Sequence, residues 1–304
     1  MPIDLIFNQI LAFDFLVAGF IQGFHDPLIT IALQVLTEIG NPAVWFLVAA
    51  AYYWLGKEND SAFIILLILF TAAISALIKM YIARPRPYLE ANLVENKSSL
   101  LDALPETEYA QYSFPSGHST MISSAYFYFR DFVSGNKQKL LILAIIVVSL
   151  SRLYLGKHFL TDVLAGIVLG GFIGWTAVEL KDKYAGKQFN WHSRKAKAIN
   201  VIIVILLLVL VLSRDYTYIA IFLSYFAGFL HFKRMKLNLY RPTNLKQIIL
   251  RLGGGFFVLG ILALLLISSN AFIAIIALAL MGLWISLIYP LILVKHKKWV
   301  QGIR

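Results

Sequence analysis

Ser61-Ala-Phe-Ile-Ile-Leu-Leu-Ile-Leu-Phe-Thr-Ala-Ala-Ile-Ser-Ala-Leu-Ile-Lys79-Met-Tyr-Ile-Ala-Arg84-Pro-Arg86-Pro87 decides the fold class. From Ser61 to Ile78 it carries no charge. About 20 apolar residues cross the hydrocarbon core of a bilayer as a helix, and this run does not alternate as a membrane β-strand would. It then ends abruptly in three cations and two prolines. Similar apolar runs recur along the chain.

The 304 residues are 60% hydrophobic and 14% charged, against roughly 25% charged in a soluble domain. The sequence therefore predicts an all-α, polytopic helical membrane protein with about nine transmembrane helices. The expected spans are 42–56, 61–81, 116–133, 139–154, 159–180, 198–213, 216–232, 252–268 and 271–294. Three parts follow. Residues 1–40 form N-terminal interfacial helices, with Asp14 costly at the centre of a span unless it is compensated. Residues 41–180 form a helix-bundle core with a polar loop over 84–114. Residues 181–304 form a basic linker and a C-terminal extension of four membrane helices.

The formal net charge is +11. Its lysines and arginines lie mostly between apolar runs, which fits topology and anionic headgroups and does not call for nucleic acid. With nine spans, the basic linkers (Lys181 to Lys197, Lys233 to Arg251) fall on one side, and the positive-inside rule makes that side cytoplasmic. The 84–114 loop falls outside. There is no cysteine, so disulfides, thiol nucleophiles and thiolate metal sites are excluded.

The polar residues of the core gather at span ends. Lys79 closes one span. Arg84 and Arg86 each precede a proline, which keeps them on extended backbone, where both can reach an anion. Pro115-Ser116-Gly117-His118 opens the next, offering helix N–H groups to an anion and a histidine to a leaving oxygen; the same residues also suit a simple cap. Ser151-Arg152 closes another. His158 and Asp162 are four apart and share a helix face. A carboxylate on one ring nitrogen leaves the other free to attack. Parity brings all four span ends to one membrane face.

In that order, these residues resemble the type-2 phosphatidic acid phosphatase superfamily, which includes lipid phosphate phosphatases, glucose-6-phosphatase and the vanadium haloperoxidases. Its pattern Lys-x6-Arg-Pro, Pro-Ser-Gly-His and Ser-Arg-x5-His-x3-Asp is met at Lys79, Arg86, Pro87, Pro115 to His118, Ser151, Arg152, His158 and Asp162. The resemblance covers about residues 27–180. It implies that Lys79, Arg86 and Arg152, with Ser116 and the Gly117 N–H, bind the phosphate. It makes His158 the nucleophile, His118 the proton donor and Asp162 the group that orients His158, with no metal and no cofactor. The expected function is a membrane phosphatase acting on a lipid phosphate or diphosphate, with its site on the extracytoplasmic or lumenal side. The alternatives are phosphoryl transfer to a lipid acceptor, and a lipid carrier or flippase using the C-terminal helices.

Overall fold

The computed structural model describes residues 2–90, 111–184, 194–212, 216–267 and 270–300. Most of the 84–114 loop lies outside them. Among the described residues the regular secondary structure is helical, with an isolated backbone bridge between Pro85 and Tyr112. The helices are α1 (Pro2–Gln22), α2 (Pro27–Thr37), α3 (Pro42–Trp54), α4 (Glu58–Ile82), α5 (Pro87–Glu90), α6 (Gly117–Phe129) and α7 (Asn136–Tyr154). They continue with α8 (Leu160–Tyr184), α9 (Arg194–Leu212), α10 (Tyr216–Arg234), α11 (Leu245–Leu264), α12 (Ala271–Leu283) and α13 (Tyr289–Val300).

Each of the nine expected spans contains a helix. Among the described residues, four helical stretches are long and apolar enough to cross a bilayer: Glu58–Ile82, Leu160–Glu179, Leu245–Ile267 and Ala271–Lys295. A fifth arises if Gln9–Gln22 and Pro27–Gly40, bent by 119°, count as one broken span. Helix α3, with 13 residues, is short of the roughly 20 that a straight crossing needs.

The chain divides into two compact units. The first holds residues 1–44, 70–102 and 106–213; the second holds 45–69, 103–105 and 214–304. Helices α1 and α2 thus cluster with the segments that carry the polar motif.

In the first unit, α6 and α8 meet along a seam of small residues. Gly166, Gly170 and Gly174 recur every fourth residue on α8, facing Ser116, Thr120 and Ser124 at the same spacing on α6. A Cβ at Gly170 or Gly174 would collide with the carbonyl oxygen of Thr120 or Ser124, and one at Gly166 would lie 2.7 Å from that of Ser116. Small residues at this spacing let helix backbones approach closely in lipid. Ser123 Oγ closes the seam by donating to the Ile167 carbonyl at 2.8 Å. Helix α2 starts at the Asp26 cap, whose carboxylate accepts from Leu28 N and Ile29 N at 2.8 and 3.0 Å. The Tyr154 hydroxyl of α7 accepts from Asp26 N at 2.7 Å and donates to its carbonyl at 3.1 Å, which ties α2 to α7.

The second unit is built on aromatic rings. Tyr53, Tyr225, Phe229 and Phe232 are fully or almost fully buried and pack edge-on or stacked. Trp284–Ile288 is a π-helical turn between α12 and α13. Such turns disturb the carbonyl ladder, and here Trp54 Nε1 and Tyr53 Oη donate to the carbonyls of Ile285 and Ser286 at 3.1 and 2.8 Å. Arg251 corrects an expectation. It was placed in a basic linker, but the Asn244 cap starts α11 earlier, and Arg251 is buried within that helix.

Candidate active site

The motif residues come together at one end of the first unit. Lys79 lies in the last turn of α4, Ser116 caps α6, Arg152 ends α7, and His158 and Asp162 flank the start of α8. Lys79, Ser116, Arg152, His158 and Asp162 are all buried.

The segment after α4 is pinned by its backbone. Ala83 takes a positive φ of 48° and turns the chain out of the helix. Ser113 N then donates to the Arg84 carbonyl at 2.7 Å, and Lys79 Nζ donates to the Tyr112 carbonyl at 2.6 Å. Arg86 Nη1 lies 3.5 Å from the Lys157 carbonyl.

The Pro-Ser-Gly-His turn is held from two sides. Ser116 N donates to the Asp162 carbonyl at 3.0 Å, joining the start of α6 to the start of α8. Its Oγ caps α6 by accepting from Ser119 N and receives the Ser119 hydroxyl at 3.0 Å. A Cβ on Gly117 would meet open space, so the α6 amide end can be approached. Behind it, Gly40 packs against His118: a Cβ there would lie 3.0 Å from the His118 Cβ.

His158 sits amid the charges of Arg86, Lys79 and Arg152, with His118 also near. Burial first, then these cations, hold its imidazole well below the ordinary histidine value of 6.5; the ring is neutral at physiological pH. Its Nδ1 has no hydrogen-bond partner and lies 3.7 Å from Asp162 Oδ2. That is an electrostatic contact, beyond hydrogen-bond length. His118 Nε2 is also buried without a partner.

Asp162 is held by groups that the motif does not contain. Its Oδ2 accepts from Phe159 N at 2.7 Å and its Oδ1 from Arg84 Nη1 at 2.9 Å. Arg84 therefore does not stand beside Arg86 as a second anion-binding fork, as the extended backbone suggested. Two carboxylates engage it, Asp162 and Asp14, the latter at 2.8 Å. Asp14 is fully buried, but its ion pair with Arg84 compensates the charge, so the cost expected of an uncompensated carboxylate does not arise. Thr37 was also missed; its hydroxyl lies 3.3 Å from Arg152 Nη1. Asp14 had left a readable signal: a carboxylate inside an apolar helix calls for a named partner. Thr37 had left none.

The chain is similar to known membrane phosphatases. The sequence model described as the PAP2 superfamily matches residues 61–186. Phosphatidylglycerophosphatase B of Bacillus subtilis (strain 168) is 31% identical over 134 residues, 41% of this chain and 59% of that enzyme. Undecaprenyl-diphosphatase of Sulfolobus acidocaldarius is 32% identical over 151 residues, 48% of this chain and 68% of its own length. Among solved structures, the PAP2-type phosphatidylglycerolphosphate phosphatase from Bacillus subtilis is 24% identical. It covers 60% of this chain and 90% of its own, with a TM-score of 0.45. Aquifex aeolicus LpxE is 21% identical over 53% of this chain and 92% of its own, with a TM-score of 0.44. Sequence relatedness of 32% over two thirds of a curated relative, together with the matching family model, places this chain in the PAP2 superfamily.

Proposed function

We propose that this protein is a multi-pass membrane phosphatase that hydrolyses a lipid phosphate or diphosphate through a phosphohistidine on His158. The observation that carries this reading is the buried His158 set among the charges of Lys79, Arg86 and Arg152. A neutral imidazole is a nucleophile, and three fixed cations stabilise the charge that spreads over the phosphoryl oxygens in transfer. The names of the relatives point to phosphatidylglycerophosphate and a polyprenyl diphosphate as substrates to test.

The phosphate docks on Lys79, Arg86 and Arg152, with Ser116 and the free amide end of α6 at Gly117. His158 Nε2 gives its lone pair to phosphorus, and the bond to the leaving oxygen breaks. His118 supplies the proton that this oxygen takes. Asp162 faces the Nδ1 side of His158 and favours the cationic ring of the intermediate. A water then attacks phosphorus, His118 takes its proton, the phosphorus–nitrogen bond breaks and phosphate leaves. Among the described residues, no three histidines, carboxylates or cysteines gather as a metal site. The side-chain cations supply the electrostatics, and activity is expected to survive a chelator and to be inhibited by vanadate.

The test is to trap the phosphoenzyme with labelled substrate under an acid-free quench. Wild type carries label on His158, and His158→Ala carries none and does not turn over. His118→Ala loses about 10²–10⁴-fold on alkyl monoesters and recovers part of that on p-nitrophenyl phosphate, whose leaving group needs no proton. Label on His118, or label persisting in His158→Ala, overturns the assignment. We place the site on the extracytoplasmic face. A cysteine at the exposed Gln111 then labels with an impermeant maleimide in intact cells. One at the exposed Lys137, about 22 Å away along α7 from Arg152, labels only after lysis. The reverse pattern inverts the orientation.

A further inference from the structure

Asp14 lies in the middle of α1, and both of its oxygens are engaged. Its Oδ2 accepts from Arg84 Nη2 at 2.8 Å and from the Thr161 hydroxyl. Its Oδ1 accepts from Thr161 N at 3.1 Å. Thr161 belongs to the first turn of α8, where N–H groups lack intrahelical partners, so Asp14 caps that helix from another. Arg84 spends its two terminal nitrogens on different carboxylates. Nη2 goes to Asp14, and Nη1 goes to Asp162 Oδ1 at 2.9 Å and to the Thr161 hydroxyl at 2.7 Å. The guanidinium also lies 4.0 Å from the centre of the Phe159 ring. Asp14, Arg84 and Thr161 lie outside the motif, and the reaction proposed above gives them no role.

We propose that Asp14 and Arg84 are positioning residues for the phosphoryl transfer, holding Asp162 beside His158 and preserving its negative charge there. The inference rests on the reading of His158 as nucleophile.

The physical reason is charge. Lys79 from α4, Arg86 from the segment after it, His118 from α6, Arg152 from α7 and Asp162 from α8 act on His158. With Arg84 bound to Asp162 alone, that carboxylate would be neutralised, and His158 would face only cations. Asp14 shares Arg84, so the three groups carry one net negative charge. Opposite charges at this distance favour a cationic ring, and the ring becomes cationic when Nε2 bonds to phosphorus. The proton stays on Nδ1 throughout, and no further reactant is needed. A lysine at position 84 has one ammonium where the guanidinium has two separated nitrogens, so it cannot span both carboxylates in the same way.

A simple anchoring role for Asp14 predicts different behaviour. The test uses the full chain in detergent with dioctanoyl phosphatidate as substrate. Asp14→Asn keeps the acceptor for Thr161 N and removes the charge. We expect kcat to fall about 10–100-fold, the range seen when partners behind a working histidine are removed. KM stays within about 3-fold, since the phosphate ligands are untouched. The acid limb of kcat/KM moves down by about one pH unit, because His158 loses a nearby negative charge. Asp14→Asn with Arg84→Gln restores the single negative charge; the limb returns to its wild-type position and kcat rises above that of Asp14→Asn alone. Wild-type kcat in Asp14→Asn, or a double variant no better than the single one with kcat and KM impaired together, overturns the proposal. If Asp14→Asn does not fold, Arg84→Lys decides: a kcat-selective loss supports it and wild-type kcat overturns it. His158→Ala runs alongside. Turnover there sinks the nucleophile reading itself, whereas an inactive His158→Ala beside a normal Asp14→Asn sinks only the positioning role.

Discussion

Each unit of this protein contains an arginine enclosed by apolar helices, and the two are satisfied by different means. Arg84 in the first unit bridges two buried carboxylates at 2.8 and 2.9 Å. Arg251 in the second unit donates from Nη1 to the carbonyls of Trp54 and Tyr240 at 2.9 and 2.8 Å and lies 3.9 Å over the Tyr240 ring. Among the described residues, no carboxylate forms an ion pair with Arg251. Carbonyl dipoles and a ring face stabilise a cation without adding charge of their own. Two carboxylates outnumber the cation they share and leave a net negative charge. The carbonyl and ring arrangement at Arg251 suits a clamp between helices. The carboxylate arrangement at Arg84 suits a site where charge must be held next to a reacting ring.

The comparison breaks most visibly at Arg84. Arg84→Met leaves Asp14 and Asp162 buried without their cation. Removing one partner from a buried pair costs about 3–5 kcal/mol. We expect a large fall in thermal midpoint together with loss of turnover, both readable on purified protein. Retention of either would show that the carboxylates find other partners.

Arg251→Met sharpens the contrast. It removes two charge-assisted hydrogen bonds, each worth about 1.5–3 kcal/mol, and leaves two carbonyls in an apolar setting. It also removes a buried charge, which offsets part of that loss, so a net destabilisation of about 2 kcal/mol is expected. Turnover per folded molecule, measured against active-site phosphoenzyme, stays at the wild-type level. A kcat defect in the folded fraction would show that Arg251 is more than a clamp.

The smallest effect is on pH. The folded state holds His158 below its ordinary value of 6.5, so at low pH the unfolded chain binds a proton that the folded chain refuses. Stability from this group is whole above about 6.5 and falls as pH drops from there toward the folded value, by about 1.4 kcal/mol for each unit of difference. Thermal midpoints should therefore decline below pH 6.5, less steeply in His158→Ala. Arginine keeps its charge throughout this range, so Arg251→Met should lower the whole curve without changing its slope.

Much of the architecture was readable along the chain because membrane helices announce themselves locally. A run such as Ser61 to Ile78 can satisfy its backbone in lipid only as a helix. The α6–α8 seam had a signal too, in the glycines at positions 166, 170 and 174. The early start of α11 was less legible, because it turns on the Asn244 cap.

The sequence by itself determined the all-helical class, the absence of thiol chemistry and the set of motif residues from Lys79 to Asp162. These depend on composition and on spacings of a few residues, where one helix face or one span end suffices. Only the tertiary structure decided that Arg84 turns from phosphate to carboxylate. It alone brought Asp14 from α1 and Thr37 from α2 to the site, and left His158 Nδ1 at 3.7 Å from Asp162. Those outcomes pair groups up to 147 residues apart. A buried charge takes the partners that packing brings within reach, and no local pattern states which these will be.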